Sequence, residues 1–381
     1  MSRALIWPVL ALATVALACR PIRPGDPLRG LTRPERTRFD QGKVVFDSVF
    51  TPQTGLGPLF NLTACGECHE DPKAGGSGDE VEVHASAFKG GVCDPLVEAG
   101  GFVIQQDATP ALKQALGIDK EPFPPSASGR AARTTPVAFG RGLLDAVPDS
   151  VILKYADPDD TNHDGVSGRP NRFFDGRIGR FGRKALVPTL DEFNDGAFPA
   201  EMGVTDPAVR TEESIGGKAI PPGVDPVPDP EIDQEALDRT NAFVRLLAIP
   251  TPQGLGKDGE RGRALFGQIG CAACHVPALH TGNSPIGALR DKDVFAYTDL
   301  LLHDMGPDLA DICLGLATPS EFRTEPLIDL RDLKQFLHDG RAKTPEQAVE
   351  LHGGEASGAR DRFKTLPPAD RAALVKFLRA L

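Results

Sequence analysis

Two stretches of one form decide how this chain is read: Cys65-Gly66-Glu67-Cys68-His69 and Cys271-Ala272-Ala273-Cys274-His275. In C-x-x-C-H the two thiols can form thioethers with the vinyl groups of one haem, while the adjacent His offers a ring nitrogen to its iron. With 7 Cys and 8 His in 381 residues, composition alone gives roughly 0.003 copies per chain, so chance does not explain two. A structural zinc site would need four soft ligands, and Cys19, Cys93 and Cys313 do not recur as C-x-x-C pairs. The motifs therefore predict two covalently bound c-type haems, attached at Cys65, Cys68, Cys271 and Cys274, with His69 and His275 as proximal iron ligands.

Outward from the motifs the chain repeats itself. Gly42-Lys43-Val44-Val45-Phe46 precedes the first and Gly262-Arg263-Ala264-Leu265-Phe266 the second, each ending a helical apolar pattern that brings a Phe to the haem edge. Downstream, Arg133-Thr134-Thr135-Pro136 is matched by Arg323-Thr324-Glu325-Pro326. Arg133 and Arg323 are read as partners for haem propionates, because a planar fork suits a carboxylate. Each copy closes with an apolar helix, over 232–249 and 370–381, and Pro250 to Gly254 reads as a linker. Residues 36–250 are thus expected to form a first haem domain and 251–381 a second, related by internal duplication. The 35 Pro and 41 Gly predict long ordered loops around short helices, with few strand residues.

The first copy is longer by an insert with its own chemistry. Asp160-Thr161-Asn162-His163-Asp164-Gly165-Val166 spaces oxygen ligands at alternate positions and turns at a Gly, as an EF-hand-type calcium loop begins. Asp160, Asn162, Asp164 and the Val166 carbonyl are the candidate calcium ligands, although Asn171 stands at position twelve where a Glu would complete the set. A surface turn rich in Asp and Gly is the plain alternative.

The start of the chain bears on compartment. Met1 to Ala18 has a cationic start, an apolar run and an Ala16-Leu17-Ala18 exit, which predicts a signal peptide over 1–18 and export to the periplasm or cell envelope. Cys19 directly after it offers a lipid anchor, as in an outer-membrane lipoprotein, and residues 19–35, rich in Pro and Arg, read as a tether. Export would allow disulfides, so Cys93 and Cys313 either bridge the two halves or stand as separate buried thiols. The formal net charge of −11 argues against nucleic acid and leaves room for a basic redox partner.

Several segments together resemble one family. Tyr297-Thr298-Asp299-Leu300-Leu301-Leu302-His303-Asp304-Met305-Gly306, Phe322-Arg323-Thr324-Glu325-Pro326-Leu327, Leu337-His338-Asp339-Gly340-Arg341-Ala342 and Gly55-Leu56-Gly57-Pro58-Leu59-Phe60-Asn61 are similar to the di-haem oxidoreductases, relatives of bacterial di-haem cytochrome c peroxidases and MauG enzymes. The resemblance implies a mainly α fold of two cytochrome-c-like domains with the haems facing each other. It also implies a peroxidase-like activity in which electrons pass from one haem to a second that reacts with peroxide or a related small-molecule oxidant, fed by a small periplasmic cytochrome c or cupredoxin. The alternative is an electron-transfer cytochrome with no substrate-binding iron.

The resemblance also supplies distal candidates. Fourteen residues beyond His338 stands His352, the register implied for the second haem's distal ligand, with Met305 as its competitor. For the first haem, His84 lies fifteen residues beyond His69, or is a solvated loop His in the polar run Asp79 to Ser86. Asp145, in Leu143-Leu144-Asp145-Ala146-Val147-Pro148, is the candidate acid/base for peroxide cleavage. The chain departs from the peroxidases in one respect: its only Trp is Trp7, inside the exit signal.

Overall fold

A computed structural model describes residues 20–212 and 214–381, so the signal segment, Trp7 and Cys19 lie outside the described residues. Two helix crossings organise the fold. In the first half α1 (Arg33–Phe46) packs on α3 (Gln234–Leu246), with α2 (Leu190–Met202) alongside. In the second, α4 (Gly256–Gln268) packs on α7 (Pro368–Leu378), with α5 (Pro345–Leu351) and α6 (Ser357–Thr365) between them in sequence. The N-terminus of α1 is set by a capping box, in which Glu35 N–H bonds the Thr32 hydroxyl and the Glu35 carboxylate accepts Thr32 N–H.

The repeated G-x-x-x-F pattern has the same cause in both crossings. A Cβ on Gly42 would lie 2.0 Å from the Arg239 carbonyl oxygen and 2.9 Å from Phe243 Cβ. A Cβ on Gly262 would lie 2.0 Å from the Ala373 carbonyl oxygen and 2.9 Å from Phe377 Cβ. No larger residue permits either approach. Phe46 and Phe266, four residues on, are buried beside the motif histidines, with ring centroids 6.0 Å from His69 and 6.3 Å from His275.

The fold class and the tether read differently in the structure. Helix is a minority of the described residues, and the mainly α class gives way to helices, small sheets and long loops. The largest sheet is antiparallel and has β1 (Val81–Lys89) at its centre, paired with β2 (Val92–Asp94), β3 (Val103–Ile104) and β4 (Gly129–Thr134). The polar run for which a solvated loop was the alternative reading enters β1, because Val81, Val83 and Ala85 alternate with Glu82, His84 and Ser86 at the strand period. The tether is not free chain either. Leu28 N–H bonds the Leu246 carbonyl at 2.8 Å and Ala248 N–H bonds that of Asp26 at 3.0 Å, so residues 26–28 run along the end of α3.

The largest core joins Phe39, Phe139 and Phe243 of the first half to Val276, Leu300 and Ile328 of the second, so position 251 divides the sequence without dividing the packing. A second core around Phe266, Phe363 and Phe377 lies wholly in the second half. Of the two readings of Cys93 and Cys313, the bridge forms, with Cα atoms 5.7 Å apart, tying β2 to the second half. Among the described residues no helix is long and apolar enough to cross a membrane.

Candidate haem centres

The second motif opens on a cavity of about 510 Å³ walled by Phe266, Leu330, Phe336, Leu374 and Leu378, a size and lining suited to a flat apolar prosthetic group. Two imidazoles serve it. His275 Nδ1–H donates to the Tyr297 carbonyl at 3.0 Å, and His352 Nδ1–H, just past α5, donates to that of Ala348 at 2.7 Å. Each bond fixes the tautomer and leaves Nε2 for a metal. Burial, and then the neighbouring His352, pushes His275 down to about 4, and burial lowers His352 too, so both rings are neutral as ligands must be.

Met305 also lines this cavity. A Cβ on Gly353 would meet the Met305 carbonyl oxygen at 2.6 Å, and one on Gly354, where φ is +49°, that of Asp304 at 2.1 Å. The glycine pair thus lets the chain after His352 run directly against the backbone of Asp304 and Met305, and both distal candidates line one cavity.

At the first motif, Cys65 and Cys68 sit on a single helical turn and His69 Nδ1–H donates to the Gly76 carbonyl at 2.9 Å. What faces this centre is the sheet. Glu82 and His84 share one face of β1, and Glu82 lies within electrostatic reach of Cys68 and His69. His84 Nε2–H donates to Glu82 Oε2 at 2.8 Å, its ring stacks on Phe102, and its Nδ1 is buried with no hydrogen-bond partner among the described residues. Burial, and then Arg133, holds His84 neutral. Burial works to raise Glu82, but the hydrogen bond from His84 together with nearby positive charge, Arg133 included, outweighs it and holds the carboxyl below its usual range.

The four motif thiols are unbonded while Cys93 and Cys313 are bridged. Burial pushes Cys65 and Cys271 up to about 12 and raises Cys68 and Cys274 as well. A redox C-x-x-C depends on a lowered thiolate pKa, and neither pair has one. The donor set fits two c-type haems: paired thiols, a tautomer-fixed imidazole in each motif and, at the second, an apolar cavity.

Several candidate residues are placed elsewhere. Arg133 gives Nε and Nη2 to Asp311 at 2.9 and 2.7 Å, with both side chains buried, so it is already matched by a carboxylate of the protein rather than standing ready for a propionate. Arg323 does line the second cavity. Both Asp145 oxygens are engaged within the protein: Oδ1 accepts Leu190 N–H at the start of α2 (3.0 Å) and Oδ2 pairs with Arg245.

In the candidate calcium loop, Asp164 N–H bonds Asp160 Oδ1 (3.0 Å) and Asn162 Oδ1 (2.9 Å), and Val166 N–H bonds Asp164 Oδ1 (2.9 Å). The side-chain oxygens therefore satisfy the loop's own backbone. Asn171 is fully buried and donates to the Lys184 and Leu314 carbonyls, which removes it from position twelve.

Some residues of these centres were missed. Glu82 is one, and the strand alternation was its signal. His303 is another: Asp299 holds its Nε2 and Glu355 its Nδ1, each at 2.9 Å, with Cys274 Sγ 3.5 Å away. These bonds overcome burial and push His303 up to about 12. Glu355 also accepts Ser167 N–H and Oγ–H, tying the insert loop to the second cavity, which Asp164 and Val166 help to line. Nothing in the local sequence pairs His303 with residues four and fifty-two positions away.

A family model described as "Di-haem oxidoreductase, putative peroxidase" matches residues 128–381. No curated protein matches the chain. Among solved structures, hydrazine synthase of Kuenenia stuttgartiensis is similar at 14% identity, covering 100% of this chain and 98% of that one with a TM-score of 0.41. A MauG-like protein associated with microbial copper homeostasis is similar at 16% identity, 95% and 93% coverage and a TM-score of 0.40. The diheme peroxidase BthA of Burkholderia thailandensis is similar at 17% identity, 95% and 93% coverage and a TM-score of 0.40. Likeness at these levels supports no conclusion about this chain.

Proposed function

The chain belongs to the di-haem oxidoreductase family, and from that premise we propose that it is an exported, peroxidase-like c-type oxidoreductase whose second centre passes electrons and whose first centre meets the oxidant. Cys65 with Cys68, and Cys271 with Cys274, would hold the two haems, His69 and His275 would be their proximal ligands, and His352 would complete the second. When bound, a haem supplies one-electron redox chemistry and, where a coordination position is open, a place for peroxide.

One asymmetry carries the reading. At the second centre the opposing histidine, His352, has its Nε2 free, whereas at the first His84 has Nε2 tied to Glu82 and only a buried Nδ1 lone pair to offer. A neutral imidazole oriented by a carboxylate suits proton transfer: Nδ1 takes the proton from one peroxide oxygen and returns it to the other. Glu82 and His84 take the role first given to Asp145.

The shared helix-crossing unit of α1 with α3 and α4 with α7 supports two cytochrome-c-like halves derived by duplication. The Cys93–Cys313 bridge supports an oxidising compartment, hence cleavage after Ala18 and residence in the periplasm or envelope, with Cys19 available for a lipid. A small basic cytochrome or cupredoxin is the proposed donor.

Redox-titrated EPR on the holoprotein tests this. His352→Ala should convert the second haem from low to high spin, and an unchanged spectrum would give that position to Met305. His84→Ala should leave both spin states unaltered while slowing peroxide turnover. A new high-spin signal in His84→Ala would instead make His84 an iron ligand and favour the electron-transfer reading, which the orphaned Nδ1 also accommodates.

A further inference from the structure

Where the two centres approach each other, three arginines gather on one carboxylate. Glu325 Oε1 accepts Arg141 Nη2–H at 2.9 Å, Oε2 accepts Arg323 Nη2–H at 2.7 Å, and Oε2 also forms an ion pair with Arg183 Nη1 at 2.9 Å. Backbone carbonyls hold each fork in place: Val137 for Arg141 Nε, Thr134 for Arg183 Nη2 and Gly182 for Arg323 Nε, each at 3.0 Å. Arg141 and Arg323 are only 7% and 6% exposed, which makes their charge a matter of local balance rather than of solvent.

That balance does not close. Three guanidinium groups meet one carboxylate, leaving two positive charges uncompensated in a buried region, which is costly unless an anion arrives. The neighbouring acids are committed: Asp311 to Arg133 and Lys184, Asp145 to Arg245, Glu82 to His84. Each guanidinium has five N–H donors, and the bonds described use no more than three on any of them.

The cluster also reaches both centres. Arg183, Arg323 and Glu325 line the cavity that holds Cys271, Cys274 and His275. Arg141 lies close enough to His69 for its charge to bear on that ring.

We propose that Arg141, Arg183 and Arg323 around Glu325 form one carboxylate-binding junction that receives haem propionates from both centres, so that a single cluster sets both reduction potentials. The inference rests on the two-haem reading above and adds a shared seat to it. Lys184 and Arg133 are buried on their own carboxylate, Asp311, and do not join the junction. In a chain whose described residues contain no Trp, charge on this cluster would be the direct physical link by which one haem senses the other.

Spectroelectrochemical titration of the holoprotein, with Arg183→Gln and Glu325→Gln beside the wild type, tests the junction. Positive charge near a haem favours the ferrous state, so Arg183→Gln should shift the second haem's ferrous-to-ferric equilibrium towards ferric by about tenfold, which is about 59 mV for one electron. Glu325→Gln should shift both haems the other way. Should Arg183→Gln fail to accumulate, Glu325→Gln, nearly isosteric, decides alone. Two haems by mass with unmoved potentials in the variants would overturn the junction and leave the two-haem reading intact, while a wild-type protein without haem would sink both. A saturable shift of the wild-type potentials by acetate, lost in Arg183→Gln, would assign the cluster to a soluble carboxylate and overturn the propionate assignment.

Discussion

The two centres are built alike up to the proximal histidine and differ beyond it. Each motif follows a helix in which a glycine admits the crossing partner and a phenylalanine lies beside the histidine, and each histidine is anchored through Nδ1 to a backbone carbonyl. His352 lines the same apolar cavity as His275, with its Nδ1 tied to the Ala348 carbonyl. Facing the first centre is a β-sheet carrying a carboxylate–imidazole pair. On the proposed reading, the proximal side is a common frame and any division of labour between the centres would lie on the distal side.

The largest effect expected is on the frame itself. Cys65→Ala with Cys68→Ala, or Cys271→Ala with Cys274→Ala, should each yield protein short by the mass of one haem with the other retained. Loss of both haems from one pair of substitutions would show that the centres do not assemble independently.

Next comes the distal difference. His84→Ala should slow peroxide turnover by about 10²–10⁴-fold, the range for removing a general acid/base, with Glu82→Gln following in the same direction. Turnover that falls as far in His352→Ala as in His84→Ala would erase the proposed contrast.

A smaller effect is expected from the tie between sheet and second half. Replacing Cys93 and Cys313 by Ala should cost about 2–4 kcal/mol in urea unfolding. The first centre's optical bands should broaden before the second's, because β2 and β1 belong to the sheet at that centre.

The smallest concerns His338, whose pKa burial lowers to about 4. The unfolded chain binds this proton at about 6.5, so stability is complete above that value, falls as pH drops from about 6.5 to 4, and loses nothing further below. The slope is at most about 1.4 kcal/mol per pH unit. His338→Gln should flatten that part of a plot of unfolding free energy against pH, and an unchanged slope would show that His338 is not buried uncharged.

The frame was legible in the sequence because its determinants are local. C-x-x-C-H and the preceding G-x-x-x-F lie within one helix and one turn, and α1, α3, α4 and α7 follow from their apolar spacing. The distal side was legible only in part, because it is assembled from far-apart segments. His352 came from a family register and lines the expected cavity. Glu82 was hidden because the alternation of its strand was not followed, and Asp145 was chosen because it occupied comparable ground after Arg133, although its oxygens cap α2 and pair with Arg245. Arg133 misled for a related reason: its R-T-x-P setting matches that of Arg323, but its partner Asp311, distant in sequence, appears only on folding.

The Cys93–Cys313 bond encloses a sequence separation of 220 residues, including the exposed turn at 161–165. A protease that cuts this turn would release no fragment: the two pieces would migrate together on a gel until a reductant was added, and the nicked particle would keep both halves of its shared core within reach of each other.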